Sequence, residues 1–161
     1  MDQENSSPVL LEAPRGTYPA RVDDKGRLKL PANFQAYLDS LPEKKLFVTS
    51  VDEVTARVYP IAVWRANEKL VEDETEFADE AADILFTANR YGSDCEMDGQ
   101  GRVLFSPELR RKLGLENQPV FLIIRMGVVE VYSEATFQAN ATRASADLPA
   151  KLTKLRKKKF K

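Results

Sequence analysis

The sequence predicts an α+β protein: two tandem β-α-β units, related by a pseudo-twofold axis, interleave into one β-barrel with flanking helices. An internal repeat, strand-length apolar segments bounded by turn residues, and short helices at matching places in both copies predict it. Asp23-Asp24-Lys25-Gly26-Arg27-Leu28 recurs as Asp98-Gly99-Gln100-Gly101-Arg102-Val103, offset by 75. Leu30 then meets Phe105 and Phe34 meets Leu109. Val58-Tyr59-Pro60 through Trp64 recurs as Val131-Tyr132-Ser133 through Phe137, offset by 73. The drift of two places one shorter connection in the second copy.

Each copy opens with a strand, Thr17 to Val22 or Ser93 to Met97. The D-x-x-G-R turn follows: Asp bonds the backbone two residues on, and Gly supplies a positive φ. A short strand comes next, Arg27 to Leu30 or Arg102 to Phe105, so each Arg sits at the shoulder of a tight hairpin. A short helix then begins. Pro31 enters its first turn in copy one; in copy two Ser106 caps and Pro107 takes the first helical position. Phe34, Leu38 and Leu41 recur at helical spacing, as do Leu109 and Leu113, and Gly114 marks a stop. Two strands follow in each copy, Leu46 to Val51 with Val54 to Tyr59, and Val120 to Arg125 with Val128 to Tyr132, the latter pair turning at Met126-Gly127. A helix closes each copy, opened by Pro60 with Ile61, Trp64 and Leu70, or capped by Ser133 with Phe137 facing the core. A helix from about Glu76 to Asn89 bridges the copies, with Phe77, Ala81, Ile84, Leu85 and Ala88 on one face. Four short strands cannot bury their faces alone, whereas two copies can close into a barrel that leaves no open edge.

The expected organisation is therefore a flexible N-terminal extension over 1–14, copy one over 15–75, the bridging helix over 76–90, copy two over 91–143, and a basic tail over 144–161. The chain has 161 residues, 43% of them hydrophobic, which fits a packed protein of this size. Its 24 basic and 25 acidic side chains nearly cancel. Their distribution does not. Seven of residues 151–161 are Lys or Arg and none is acidic, so 17 basic face 25 acidic side chains over residues 1–150, a formal −8. Glu72, Asp73, Glu74, Glu76, Asp79, Glu80 and Asp83 concentrate the acidity, on what reads as a solvated face that keeps polyanions off that side. The tail reads as a flexible or nascent helical arm that adds phosphate contacts.

Cys95 is the only cysteine, which excludes an intrachain disulfide, and its apolar strand argues for a buried, unreactive thiol. No apolar run reaches the roughly 20 residues of a membrane span, and the first residues lack a secretory pattern, so a cytoplasmic protein is expected. There is no histidine, no Walker loop, no dinucleotide fingerprint and no nucleophile elbow. The reading is of a non-enzyme with no cofactor, no metal site and no small-molecule substrate.

Arg27 and Arg102 carry the candidate chemistry. Each can brace its turn by pairing with the Asp four residues back, Asp23 or Asp98. Each can also fork onto guanine O6 and N7, or hold a phosphate, and duplication presents the two guanidinium groups as a pair. Arg15, Arg21, Lys25 and Lys29 lie around the first hairpin, and Arg110, Arg111 and Lys112 follow the second, where an ordinary solvated helix face is the competing account. Trp64, Tyr59, Tyr132 and Phe137 read as core aromatics.

The chain resembles the MraZ family, the two-copy member of the SpoVT/AbrB-like swapped-hairpin superfamily. The likeness covers about residues 15–143. It rests on Arg15-Gly16-Thr17, Asp23 to Arg27, Val58-Tyr59-Pro60 with Trp64, Cys95-Glu96-Met97-Asp98 with Gly101-Arg102, and Glu130-Val131-Tyr132. The resemblance implies a swapped-hairpin β-barrel and a ring-shaped homo-oligomer. It implies a cytoplasmic, nucleoid-associated transcription regulator whose partner is double-stranded DNA, at repeated G-rich promoter boxes of the division and cell-wall gene cluster. The family's DNA-binding Asp and Arg fall on Asp23, Arg27, Asp98 and Arg102, and Lys25, Arg15 and Arg110 complete the candidate interface. Gln35 stands where the family commonly has Arg, a residue Arg110 keeps in copy two. Ser106 replaces the usual Pro, and Tyr132 and Phe137 stand where Trp is common. The alternative reading is an AbrB-like protein-interaction or antitoxin-type module without operator binding. General RNA or nucleoid binding driven by the tail is a third.

Overall fold

The computed structural model describes residues 11–161. Eight strands and six helices appear among them: β1 Tyr18–Val22, β2 Arg27–Lys29, α1 Ala32–Asp39, β3 Leu46–Thr49, β4 Ala56–Pro60, α2 Ile61–Asp73, α3 Ala78–Tyr91, β5 Ser93–Cys95, β6 Arg102–Leu104, α4 Pro107–Leu113, β7 Gln118–Arg125, β8 Val128–Ser133, α5 Glu134–Ala144 and α6 Leu148–Arg156. The strands form one antiparallel sheet in the order β5-β3-β4-β8-β7-β1-β2-β6. The sheet's two ends, β5 and β6, are joined by the second D-x-x-G-R turn, where Asp98 N–H donates to the Arg102 carbonyl at 2.9 Å. The sheet is thus a nearly closed barrel.

The pairing is exchanged between copies. β1 of copy one pairs with β7 of copy two, and β5 of copy two with β3 of copy one. β2 meets β6 across the pseudo-twofold axis, with Leu28 opposite Val103, and β4 meets β8. Alternation puts Val22, Leu28, Val48, Val58, Val103, Val120, Leu122, Val129 and Val131 inside, where they join Phe34, Phe105 and Leu109 in one core. A second cluster, Phe47, Tyr59, Ile61, Trp64, Ala88 and Val128, seats α2 and α3 on β3 and β4. Trp64 stacks on Phe47 at 4.7 Å.

Several local expectations are corrected. β3 and β4 stop at Thr49 and start at Ala56, short of the expected Val51 and Val54. Asp52 Oδ1 accepts the amides of Val54 and Thr55 at 2.9 and 2.8 Å, and this side-chain turn replaces the strand ladder. The bridging helix begins at Ala78, two residues later than expected, because Glu74 Oε1 collects the Thr75, Glu76 and Phe77 amides. Its expected apolar face is buried only in part: Ala88 is buried and Leu85 packs on the second cluster, but Phe77 and Ile84 are exposed, as is Phe86. The helix docks through its C-terminal half instead, with Ala88 and Tyr91 buried and the Ala88 carbonyl accepting from Thr49 Oγ1 at 2.6 Å. Phe137 is only half-buried, packed on Phe121 at 4.5 Å.

At the ends, most of the expected flexible extension lies outside the described residues. Leu11 N–H donates to Ser40 Oγ at 3.2 Å and Ala13 packs on the core, so 11–14 lie against the body. The basic tail forms a regular helix, α6, started by Pro149 in its first turn and by the Asp147 side chain, which accepts the Ala150 amide. None of the described helices is long and apolar enough to cross a membrane.

Candidate nucleic-acid interface

The two D-x-x-G-R turns have the same internal geometry. In copy one, Asp23 Oδ1 accepts the Lys25 and Arg27 amides at 2.9 and 2.8 Å, and Oδ2 accepts Arg27 Nε at 2.7 Å. In copy two, Asp98 Oδ1 accepts the Gln100 and Arg102 amides, both at 2.9 Å, and Oδ2 accepts Arg102 Nε at 2.8 Å. The backbone amide of the Arg, foremost, holds each carboxyl below the usual aspartate range, reinforced by the Arg side chain. Gly26 and Gly101 close the turns with φ of +81° and +73°.

The copies are stitched together at these turns. Leu30 N–H donates to the Gly101 carbonyl at 3.0 Å, and Phe105 N–H to the Gly26 carbonyl at 2.8 Å. The turns and the β2–β6 pair therefore form one ribbon, whose inner face is Leu28 and Val103 and whose outer face is Arg27, Lys29, Arg102 and Leu104. The side chains of Arg27 and Arg102 are 32% and 25% exposed. Only Nε of each is engaged among the described residues, so the terminal amino groups face outward as a fork with no intramolecular partner. The Asp–Arg contact orients the guanidinium and does not consume it.

The remaining candidates divide. Lys25 is exposed at the tip of the first turn. Lys29 crosses the ribbon and donates Nζ to the Gln100 carbonyl. Arg110 sits beneath the first turn, its side chain four-fifths covered, donating Nη1 to the Lys25 carbonyl and Nε to Glu116 at 2.8 Å. Gln35, its repeat equivalent, lies against Gly101 and donates to the Leu30 carbonyl at 2.7 Å. Both are braces of the opposite copy's turn. Arg21 bonds Asn117, Lys112 reaches Glu53, and Arg15 is exposed with Glu12 at 3.2 Å, none of them joined to the ribbon by a hydrogen bond. Burial raises the Cys95 thiol, in keeping with an inert packing role.

Sequence reasoning passed over Leu104, which is half exposed on the ribbon among three cations. The same offset of 75 that aligned the turns aligns it with Lys29, and that comparison would have singled it out. Buried Glu130 is a separate, structural cluster: Arg57 and Arg125 pair with its carboxylate and Tyr132 donates a hydrogen bond to it.

A family model described as "MraZ protein, putative antitoxin-like" matches residues 91–158. Three relatives are each named transcriptional regulator MraZ. One from Acidobacterium capsulatum is 35% identical over 126 residues, covering 78% of this chain and 86% of its own length. One from Koribacter versatilis is 36% identical over 105 residues, covering 65% and 71%. One from Nitrosospira multiformis is 33% identical over 108 residues, covering 67% and 74%. An exchanged barrel from two tandem copies, with paired D-x-x-G-R turns and relatives alike along most of their length, places this chain in the MraZ family.

Proposed function

We propose that this chain is a sequence-specific DNA-binding transcription regulator, with Arg27 and Arg102 as its principal contacts. The observation that carries the reading is the pair of Asp-braced arginines on one exposed ribbon across a pseudo-twofold axis. A two-stranded ribbon fits the major groove, where an arginine fork meets guanine O6 and N7 bidentately. Asp23 and Asp98 position the forks, Lys25 supplies a phosphate contact at the turn tip, and Arg110 stiffens the first turn. Arg15 is an outlying cation available to the backbone.

The relatives' names carry the regulatory role to this chain. Its finer form is a homo-oligomeric ring in which several ribbons engage repeated G-rich boxes in the promoter of the division and cell-wall genes. Each single contact is then modest, and linkage raises effective affinity by roughly 10²–10⁴. Gel shifts with the DNA upstream of the chain's own coding region test it. Arg27→Ala and Arg102→Ala should each abolish the shift while leaving the melting temperature close to that of the parent. Variants that bind as the parent does would overturn the proposal.

The family model's description as antitoxin-like favours a second reading, a module that contacts another protein while its arginines only brace turns. Absence of any shift with the parent chain, at low salt and over its whole upstream region, would select it.

A further inference from the structure

We propose that the two halves of the ribbon are chemically unequal, and that Leu104 is a specificity-determining residue: it meets a thymine methyl beside the guanine read by Arg27, while Lys29 and Arg102 anchor the other half. This rests on the DNA-binding reading above and names how one orientation on the duplex is chosen.

The backbone of the ribbon is symmetric and its outer side chains are not. The register sets Arg27 directly opposite Leu104 and Arg102 directly opposite Lys29. Charge differs between the halves by one carboxylate: Lys25 stands at the first turn beside exposed Asp24, whose repeat equivalent is Gly99, and Lys29 reaches the second through the Gln100 carbonyl, so each turn has its Arg and one Lys. Arg110 adds little, since Glu116 balances it beneath the first turn and Gln35 is neutral beneath the second. Directly across the ribbon, the difference is an apolar side chain opposite one arginine and an ammonium opposite the other.

Leu104 is 50% exposed and points away from the core that its neighbour Val103 joins with no exposure. The fold gains little from it. Directly opposed residues on paired strands have Cβ atoms about 5 Å apart. Successive bases on a strand rise by about 3.4 Å, so such a pair spans neighbouring base steps. In the major groove guanine offers two acceptors to an arginine fork, and thymine offers its C5-methyl group to apolar contact. An Arg–Leu pair therefore suits adjacent G and T. An Arg–Lys pair ends in two charged groups rather than in a methyl-bearing apolar tip, and the lysine, with two further N–H donors beyond its bond to Gln100, suits a phosphate.

The test uses the full chain and a duplex that it selects from a randomised pool. Each thymine is replaced in turn by deoxyuridine, which removes only the methyl group. The parent should lose about fourfold in affinity at one thymine next to a guanine, the effect of exposing one buried methyl. Leu104→Ala should bind the thymine and uracil duplexes equally. Lys29→Ala should keep the parent's thymine preference while its salt dependence flattens by about one phosphate contact. A parent indifferent to uracil at every position, or Leu104→Ala with the parent's preference, overturns the proposal. So does Leu104→Ala changing the oligomer's mass by light scattering while the thymine preference stands. Failure of the underlying reading looks different: Arg27→Ala and Arg102→Ala would then retain the parent's affinity.

Discussion

In both turns one carboxylate oxygen, Oδ1 of Asp23 or Asp98, holds the loop backbone while Oδ2 holds the arginine Nε. The folded aspartates are depressed below their unfolded value. Their contribution is therefore present above the ordinary aspartate range and lost as pH falls through the folded pKa. Acid should loosen the turns and release the arginines. Melting temperature against pH should fall through that acidic window in the parent, and fall less in Asp23→Asn and Asp98→Asn, which lack the titrating charge. The two glycines separate a shared cost from a local one. A Cβ at either position faces a left-handed backbone, roughly 1–2 kcal/mol. At Gly101 it would also collide with the far end of Gln35, displacing its one bond to the Leu30 carbonyl, and at Gly26 with Arg110, displacing its bonds to both Glu116 and the Lys25 carbonyl. Thermal melts should rank Gly26→Ala as the more destabilised of the two, by a few degrees below the parent.

At the scale of elements, α4 shows how one side chain joins two helices. Ser106 accepts the Leu109 amide at 3.2 Å and donates to the Tyr91 carbonyl at 2.7 Å. It thereby ties the end of α3 to the start of α4, and Ser106→Ala should cost about 1–2 kcal/mol in denaturant unfolding. α3 marks where periodicity misleads. Phe77, Ala81, Ile84, Leu85 and Ala88 make a plausible stripe, but the sheet meets the helix only over its last turns, so Tyr91 is buried and Phe77 is not. Short strands were legible because β-branched residues and turn signals bounded them. The Asp52 turn was not, because its amide bonds displace a ladder that the local composition would permit.

For the whole molecule, exchange between copies is the governing fact. β1 pairs with β7 as well as β2, and β3 with β5 as well as β4, so residues 1–75 alone lack one of the two partners of their first and third strands. Chains of residues 1–75 and 76–161 should each show little strand signal by circular dichroism, and an equimolar mixture should regain it. The charge distribution acts at the same scale. α6 presents Lys151, Lys154 and Arg156 on an exposed helix, ahead of Lys157, Lys158, Lys159 and Lys161. Deleting residues 148–161 should weaken binding to all duplexes about equally and flatten its salt dependence. A changed sequence preference would contradict the assignment of the tail to phosphate contacts.

The sequence by itself determined the duplication, the two turns, the arginines they carry and most strand and helix positions, because these follow from local propensity and from matching residues a fixed distance apart. It could not determine which strands pair, how much of the length of α3 is buried, or which side chains meet across the axis. Those depend on contacts between residues far apart in the chain, from Val48 with Ser93, 45 positions apart, to Tyr18 with Leu122, 104 apart, and only the folded chain brings them together. The brace roles of Arg110 and Gln35, and the place of Leu104 beside Arg27, were decided there, by the packing of one copy's helix and strand against the other copy's turn.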